Sequence, residues 1–525
     1  RTNQLASETD LIMEKQKNEL WFERSGWLLI AITIVWSILT RLAGSLRYWH
    51  FYGDQLQGMI DLWEGRLEGS YPGSSQGGYR LPATAIYYFR FFTLYSWDPK
   101  WQGFAQGLIG FLGIILLMIF LYKVLEQLPK SQRLLWVGVG GAWWSGHTHY
   151  YEIIPWNPDQ IPAYFILSIL LFDQAFHQDR KRRMYASAAL GMVLAILVSL
   201  HSSSFFTAPV YFSIIAVWHW YRFREWKPLF LSVSVSFLFL FPYWLEEIKS
   251  DFENTRKILD FIQNGSGSDV TPILQRLDRT LFNYHRTARN IFFNGHLFVW
   301  ENIAVVFFWT CAGVSLFKFR TSSRVYLIFW IGVGSFIFVQ SNYMNFYILH
   351  YYAFFYIVPV VLTVTALASL HWNMLSHKIA RIVILTVVCL SVYSSGIYNV
   401  NILKAQYGNQ RAMNTDDLRW ILEELSDETF CPASNEGIPY FGALKFMHRT
   451  LYPKKVFRFS HQCSSGMLVV DRKFQFWIGY IAKHPISGNL QNLFKLYPAK
   501  QNPLSSKVQL IKLLENEAVA VSRIP

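Results

Sequence analysis

A carboxylate, Asp54, stands in "RYWHFYGDQLQGMIDLWEGRLEG" a few residues after the first long apolar run, and Arg80 follows in "GGYRLPATAIYYF". A carboxylate within hydrogen-bonding reach of a hydroxyl can take its proton as general base. A guanidinium can grip phosphate oxygens in bidentate fashion. A second acid, Asp159, opens "NPDQIPAYFILSILLF", Tyr79 precedes Arg80, Arg286 and Arg289 lie in "NYHRTARN", and His201 and His350 sit at the edges of apolar runs. Each also has a plainer role. Asp54, ahead of the helical spacing of 53–67, has the type of an N-cap, Asp159 that of a turn residue, and Arg80 can snorkel at an interface. Arg286 and Arg289, at i and i+3, share one helix side suited to solvent or lipid headgroups. Histidines at helix ends often only hydrogen-bond the local chain.

The elements that must hold these residues follow from composition. The 525 residues are 52% hydrophobic, 18% aromatic and only 16% charged, too apolar for an ordinary soluble chain. Windows of about 19 residues predict about eleven spans, near 26–44, 103–122, 134–146, 162–176, 185–201, 205–220, 228–245, 298–317, 325–341, 351–370 and 382–400. The third and fourth are short for a bilayer and call for tilt, a re-entrant course or extension by polar turns. The expected fold class is a polytopic α-helical membrane protein with a small C-terminal α/β domain. Its expected parts are a cytoplasmic amphipathic segment 1–25, a transmembrane domain 26–400 with outer loops 45–102 and 246–297, and an extracytoplasmic tail domain 401–525.

Lysines and arginines set the expected orientation. Lys123, Lys130 and Arg133; Arg180 to Arg183; Arg222, Arg224 and Lys227; Lys318, Arg320 and Arg324; and Lys378 and Arg381 fall in every second loop. By the positive-inside pattern the N-terminus is cytoplasmic, the C-terminus is outside, and Asp54 faces outward. The net charge of +14 is thereby directed at anionic lipid headgroups. No basic-aromatic module marks nucleic acid as a partner. The span interiors read as nearly free of charge, which favours a site at the outer interface over a charged path across the bilayer.

Cys311 and Cys389 lie in expected spans, while Cys431 and Cys463 share the outer tail. The latter two are a disulfide candidate, the alternative being two free thiols. In that tail "NTDDLRWILEEL" has helical spacing and a cap, "MLVVD" reads as a short strand, and "SKVQLIKLLENEAVAVSRI" holds strand-like and helical stretches. No nucleotide-binding glycine fingerprint or metal-spaced cysteine set is present.

The order of these features resembles the GT-C superfamily of membrane glycosyltransferases, in particular its protein O-mannosyltransferase and lipid A aminoarabinose transferase branch. The resemblance rests on Asp54 in "YGDQLQGMIDLWEGRLEG", "GGYRLPATAIYYF", "IIPWNPDQIPAYFILSILLF", "SLHSSSFFTAPVYF" and "LHYYAFFYIVPVV", and covers about residues 26 to 400. Two positions depart from it. Gln55 stands where many relatives carry a second acid, and Leu81-Pro82 stands where many carry two prolines.

The resemblance implies transfer of a sugar from a polyprenyl-phosphate-linked donor to an acceptor hydroxyl at the extracytoplasmic face of the plasma (inner) membrane, with inversion. Asp54 is then the general base and Asp159 a second family acid. Arg80 first, then Tyr79, His201, Arg286, Arg289 and His350, are the donor- and lipid-phosphate-binding candidates. The segment 246–297 is expected to make interface helices over the site, with "NGSGSD" at 264–269 letting a lid move. No cofactor is fixed, although a lipid phosphate could recruit Mg²⁺ or Mn²⁺ with only one or two protein ligands. Partners are membrane lipids, the lipid-linked donor, and an acceptor that is protein, lipid or glycan. The competing readings are a polysaccharide polymerase or ligase using lipid-linked glycans, and a lipid or glycan transporter, for which clean span interiors are unsuited.

Overall fold

The computed structural model describes residues 2–43, 97–98, 100–147, 157–264, 323–343 and 353–369, and shorter stretches that include 68–69, 81–82, 282–284, 429–432, 447–454, 458–459, 466–471, 511–515 and 519–524. The expected spans 298–317 and 382–400 lie wholly or mostly outside the described residues. The other nine coincide with helices. Helix α1 (Thr2–Ser37) runs without a break from the charged N-terminal text into the first apolar run and ends in a π-helical turn, Ile38–Ala43. There follow α2 (Lys100–Val124), α3 (Lys130–His147), a 3₁₀ turn (Asn157–Gln160), α4 (Ile161–Ala175), α5 (Arg180–Leu200) and α6 (Ser202–Phe223). The series continues with α7 (Lys227–Phe239), α8 (Phe241–Lys249), α9 (Glu253–Asn264), α10 (Arg324–Tyr343) and α11 (Ile357–Ala368).

Four of the described helical segments are long and apolar enough to cross a membrane, and α7 with α8 makes a fifth as a broken span. The apolar run 228–245, expected as one span, turns by 62° between those two helices. Pro242, in the first turn of α8, has no N–H to continue the ladder, so the break lies where the sequence removes a donor. Beyond it Asp251 and Phe252 adopt left-handed backbone, and Glu247 accepts hydrogen bonds from the Thr255 N–H (2.9 Å) and hydroxyl (2.6 Å) to start α9. The expected helices of segment 246–297 are thus present up to Asn264; the Gly-Ser stretch lies outside the described residues.

Helix packing relies on small residues, as it must where lipid is as apolar as any side chain. Gly26 of α1 sits so close to α3 that a Cβ there would lie 2.6 Å from the backbone of Leu134 and Leu135. At Gly191 of α5 a Cβ would lie 2.3 Å from the carbonyl oxygen of Ser232 on α7. That approach lets the Ser232 hydroxyl donate to the Ser187 carbonyl (2.8 Å) and the Ser236 hydroxyl to the Gly191 carbonyl (2.7 Å). Around Phe165 of α4, the rings of Tyr211, Phe329 and Phe354 pack at centroid distances of 5.8, 6.2 and 5.0 Å.

The described members of the basic clusters gather at one end of the bundle and several are tied there by acids. Buried Asp173 accepts from Lys123 (2.8 Å) and from Arg324 through Nε (2.9 Å) and a terminal nitrogen (2.8 Å), joining α2, α4 and α10. Glu225 receives Arg183 at 2.9 Å and Arg180 at 3.1 Å, joining α5 to the α6–α7 turn. The hydrogen bond from Arg183 holds the Glu225 carboxyl below its usual range, the charges of Arg183 and Arg180 adding to it against a smaller burial effect.

The tail contributes a five-stranded mixed sheet: β3 (Thr429–Pro432), β4 (Arg458–Phe459), β5 (Gly466–Asp471), β6 (Ile511–Glu515) and β7 (Val519–Ile524), in the order β4-β3-β5-β7-β6. β3 pairs in parallel with β4 and β5, and β7 is antiparallel to both β5 and β6. The strand expected at "MLVVD" is β5. Cys431 lies in β3, and Cys463 lies outside the described residues.

Two outcomes test this packing. Gly191→Ala is expected to destabilise the protein by about 1–3 kcal/mol, since the added methyl must push α5 from α7, measured as a lowered midpoint of thermal unfolding in detergent. The stabilisation from Glu225 is present in full at neutral pH and is lost as pH falls through its depressed folded value. The melting-temperature gap between wild type and Glu225→Gln should therefore be widest near neutrality and close below about pH 4.

Candidate functional site

Two of the eight acid, arginine, histidine and tyrosine candidates are described: Asp159 and His201. Asp54, Tyr79, Arg80, Arg286, Arg289 and His350 lie outside the described residues, but the chain next to Arg80 is placed. Residues Leu81–Pro82 form β2, which pairs antiparallel with β1 (Glu68–Gly69). Buried Leu81 clusters with Ile258 of α9 and with Phe205 and Phe206 at the start of α6. β2 packs on α5, and β1 on α8. The chain at Leu81–Pro82 is thus anchored against α5 and α6 at the end of the bundle opposite Asp173 and Glu225.

Asp159 reaches the same place by another route. "NPDQIP" carries a proline at each side of Asp159-Gln160, and the chain folds there into the 3₁₀ turn that opens α4. The turn packs on α2, α4 and α5, leaving Asp159 4% and Gln160 1% exposed. His201 joins α5 to α6. Its Nδ1 accepts the Ser203 N–H at 3.1 Å, while the Ser204 hydroxyl lies 3.1 Å from the His201 N–H as acceptor and donates to its carbonyl at 2.8 Å. That cap assigns the neutral ring's proton to Nε2. The helix-end role and a donor role are therefore compatible. Asp159, the Leu81–Pro82 anchor and His201 all adjoin the C-terminal end of α5.

Several polar residues at this end were not singled out in the sequence. Arg41, in the π turn, is fully buried although it lies in a run that reads as an uncharged span. It donates to the Ser145 carbonyl (3.2 Å), with its other terminal nitrogen 3.4 Å from the Ser145 hydroxyl and 3.5 Å from that of Thr40. Single π turns in membrane helices often mark functional positions. This one packs on α2, where Gln102 and Gln106, four residues apart on one side, are 4% and 0% exposed. The signal was in the sequence: Ser37 and Arg41, and Gln102 and Gln106, each repeat a polar residue at i and i+4 within an apolar run.

The tail reaches the start of the same helix. Asp98 caps α2 by accepting the Lys100 N–H at 3.1 Å, and its carboxylate also pairs with Lys100 Nζ (3.4 Å) and with Arg419 of the tail. Nearby, Tyr452 donates to Glu423 at 2.7 Å, and burial together with that carboxylate pushes the phenol pKa up. Among the described residues no group of three or more His, Cys, Asp or Glu side chains is placed to hold a metal ion.

The chain matches no protein-family model and no curated protein. Its fold is similar to that of ArnT from Cupriavidus metallidurans. The structure of that protein bound to undecaprenyl phosphate covers 95% of this chain and 98% of its own, at 12% identity and a TM-score of 0.48. Its apo state gives the same coverage and identity, with a TM-score of 0.47. At this identity and superposition no residue role carries over.

Arg419→Ala leaves buried Asp98 with Lys100 as its remaining cation partner at that site among the described pairs. The expected cost is about 1–3 kcal/mol, below that of breaking a fully buried pair because Lys100 stays. The measurements are thermal unfolding and the rate at which a protease releases the tail, which should rise.

Proposed function

We propose that this protein is a membrane glycosyltransferase that moves a sugar from a polyprenyl-phosphate-linked donor to an acceptor hydroxyl at the extracytoplasmic side of the bilayer. The observation that carries the reading is the convergence on the end of α5. The turn bearing Asp159, the strand that follows Arg80 and the His201 cap meet there, at the end remote from the basic clusters. The resemblance around Asp54 supplies the reaction type.

In this reading Asp54 takes the proton of the acceptor hydroxyl as that oxygen bonds to the anomeric carbon. The bond from that carbon to the phosphate oxygen breaks on the opposite side, and the lipid phosphate leaves with the electron pair. One displacement inverts the anomeric centre. Negative charge grows on the leaving phosphate, so fixed cations there lower the barrier most. Arg80 takes this role by its place beside the anchored Leu81, with Arg286, Arg289 and His350 as further donor-binding residues and Tyr79 beside Arg80. His201 contributes its Nε2–H. Asp159 orients the acceptor, and the α8–α9 corner covers the site. Eleven spans, a cytoplasmic N-terminus and an outer tail domain complete the proposal. The reaction is written without a metal ion.

The test is transfer of labelled sugar from a panel of polyprenyl-phosphate sugars, undecaprenyl phosphate being the first carrier to use, in membranes holding matched amounts of each variant. Asp54→Asn is expected to lose about a hundredfold or more of the transfer rate, and Arg80→Ala to lose rate with a weaker grip on the donor. Full activity in Asp54→Asn would move the base to Asp159, and a product of retained configuration would sink the single displacement. An inactive wild type across the whole panel would return the reading to a polymerase or a transporter.

A further inference from the structure

On the reading just given, we propose that Gln102, Gln106 and Gln160 form the subsite that receives the hydroxyl groups of the donor's sugar, and that this sugar is uncharged, hexoses being the first to test. The three amides lie on facing elements. A Cβ at Gly113 of α2 would stand 3.1 Å from the Cβ of Ala163 on α4, so this side of α2 faces the start of α4. Gln106 is seven residues before Gly113 and Gln102 four before that, on the same stripe of the helix. From Ala163 the opposing chain runs back to Gln160 in the 3₁₀ turn, and that turn packs on α2.

These side chains are 4%, 0% and 1% exposed. Among the described residues neither amide atom of Gln106 or of Gln160 has a hydrogen-bond partner, nor does the carbonyl oxygen of Gln102. Buried amides in native proteins are nearly always satisfied, so three together with open donors and acceptors point to a polar ligand. A primary amide offers two N–H donors and an acceptor oxygen. A sugar hydroxyl both donates and accepts, so paired amides match a ring bearing several of them without any charge on the sugar. Gln160 follows Asp159 in the turn that packs on α2 and α5, so a sugar held here would lie beside the acid proposed to orient the acceptor.

The expected signature separates this role from a structural one. A glutamine kept for packing is missed when replaced by an apolar residue. One whose amide has no partner in the folded chain is not, since the free protein no longer buries an unsatisfied group. The experiment uses the full chain in detergent or nanodiscs, as wild type, Gln106→Leu, Gln160→Met and the double variant. Melting temperature and affinity are measured for undecaprenyl phosphate and for undecaprenyl-phosphate-linked glucose, galactose and mannose. Wild type is expected to bind at least one hexosyl lipid tighter than the bare lipid phosphate. Each single variant should lose about tenfold of that preference, keep its affinity for the bare lipid phosphate, and melt no lower than wild type. A double variant that retains the preference overturns the subsite, as do variants that melt lower and lose both lipids alike. Wild type binding bare and hexosyl lipids equally overturns the subsite and leaves the lipid-phosphate reading standing. Wild type binding no lipid of the set removes that reading and the subsite with it.

Discussion

In the hydrocarbon layer a polar side chain has no water to turn to, so it must be partnered by protein or by something the protein holds. This constraint sorts the described polar groups of the bundle. At the basic end the charges are closed on one another: Asp173 takes Lys123 and Arg324, and Glu225 takes Arg183 and Arg180. In the middle, serines close on helix backbones, as Ser232 and Ser236 do on α5. At the opposite end the account is left open, with glutamine amides buried and unmatched beside a buried acid. The basic end also buries unmatched atoms, on Arg133, Gln174, Arg183 and His219, but there they sit beside closed ion pairs, whereas at the opposite end whole amide groups are unmatched.

The packing makes that difference possible. Helices joined through glycine at Gly26 and Gly191 approach backbone to backbone, and contacts of this kind need no polar group at the opposite end. Segments from outside the bundle attach to this end at separate points: Leu81 against α9 and α6, Arg419 against the cap of α2. The anchors are short-range and apolar or ion-paired, so they position the loops without consuming the amides of the interior.

Much of this was legible in the sequence where the information is local. Nine of the eleven expected spans fall on described helices, the described basic residues fall at one end, and Asn-Pro-Asp and His201 read as a turn and a helix-end hydrogen-bonder. The misses share a cause. Arg41, Gln102 and Gln106 were averaged away by windows wide enough to find a span, although their i, i+4 repeats were present. The break at Leu240 was merged into one apolar run despite Pro242. The strand order of the tail, and the contact of Arg419 with Asp98, join residues far apart in sequence, and no local pattern encodes such pairings.

Gln102 shows how the two ends of this argument meet. It lies one helical turn from Asp98, whose carboxylate caps α2 and is held by the tail through Arg419. The rotation of α2 is set along its length by its packing on α3, α4 and the π turn. That packing turns the stripe of Gln102 and Gln106 toward the turn of Asp159, and the tail's ion pair to Asp98 adds a tether at the helix start.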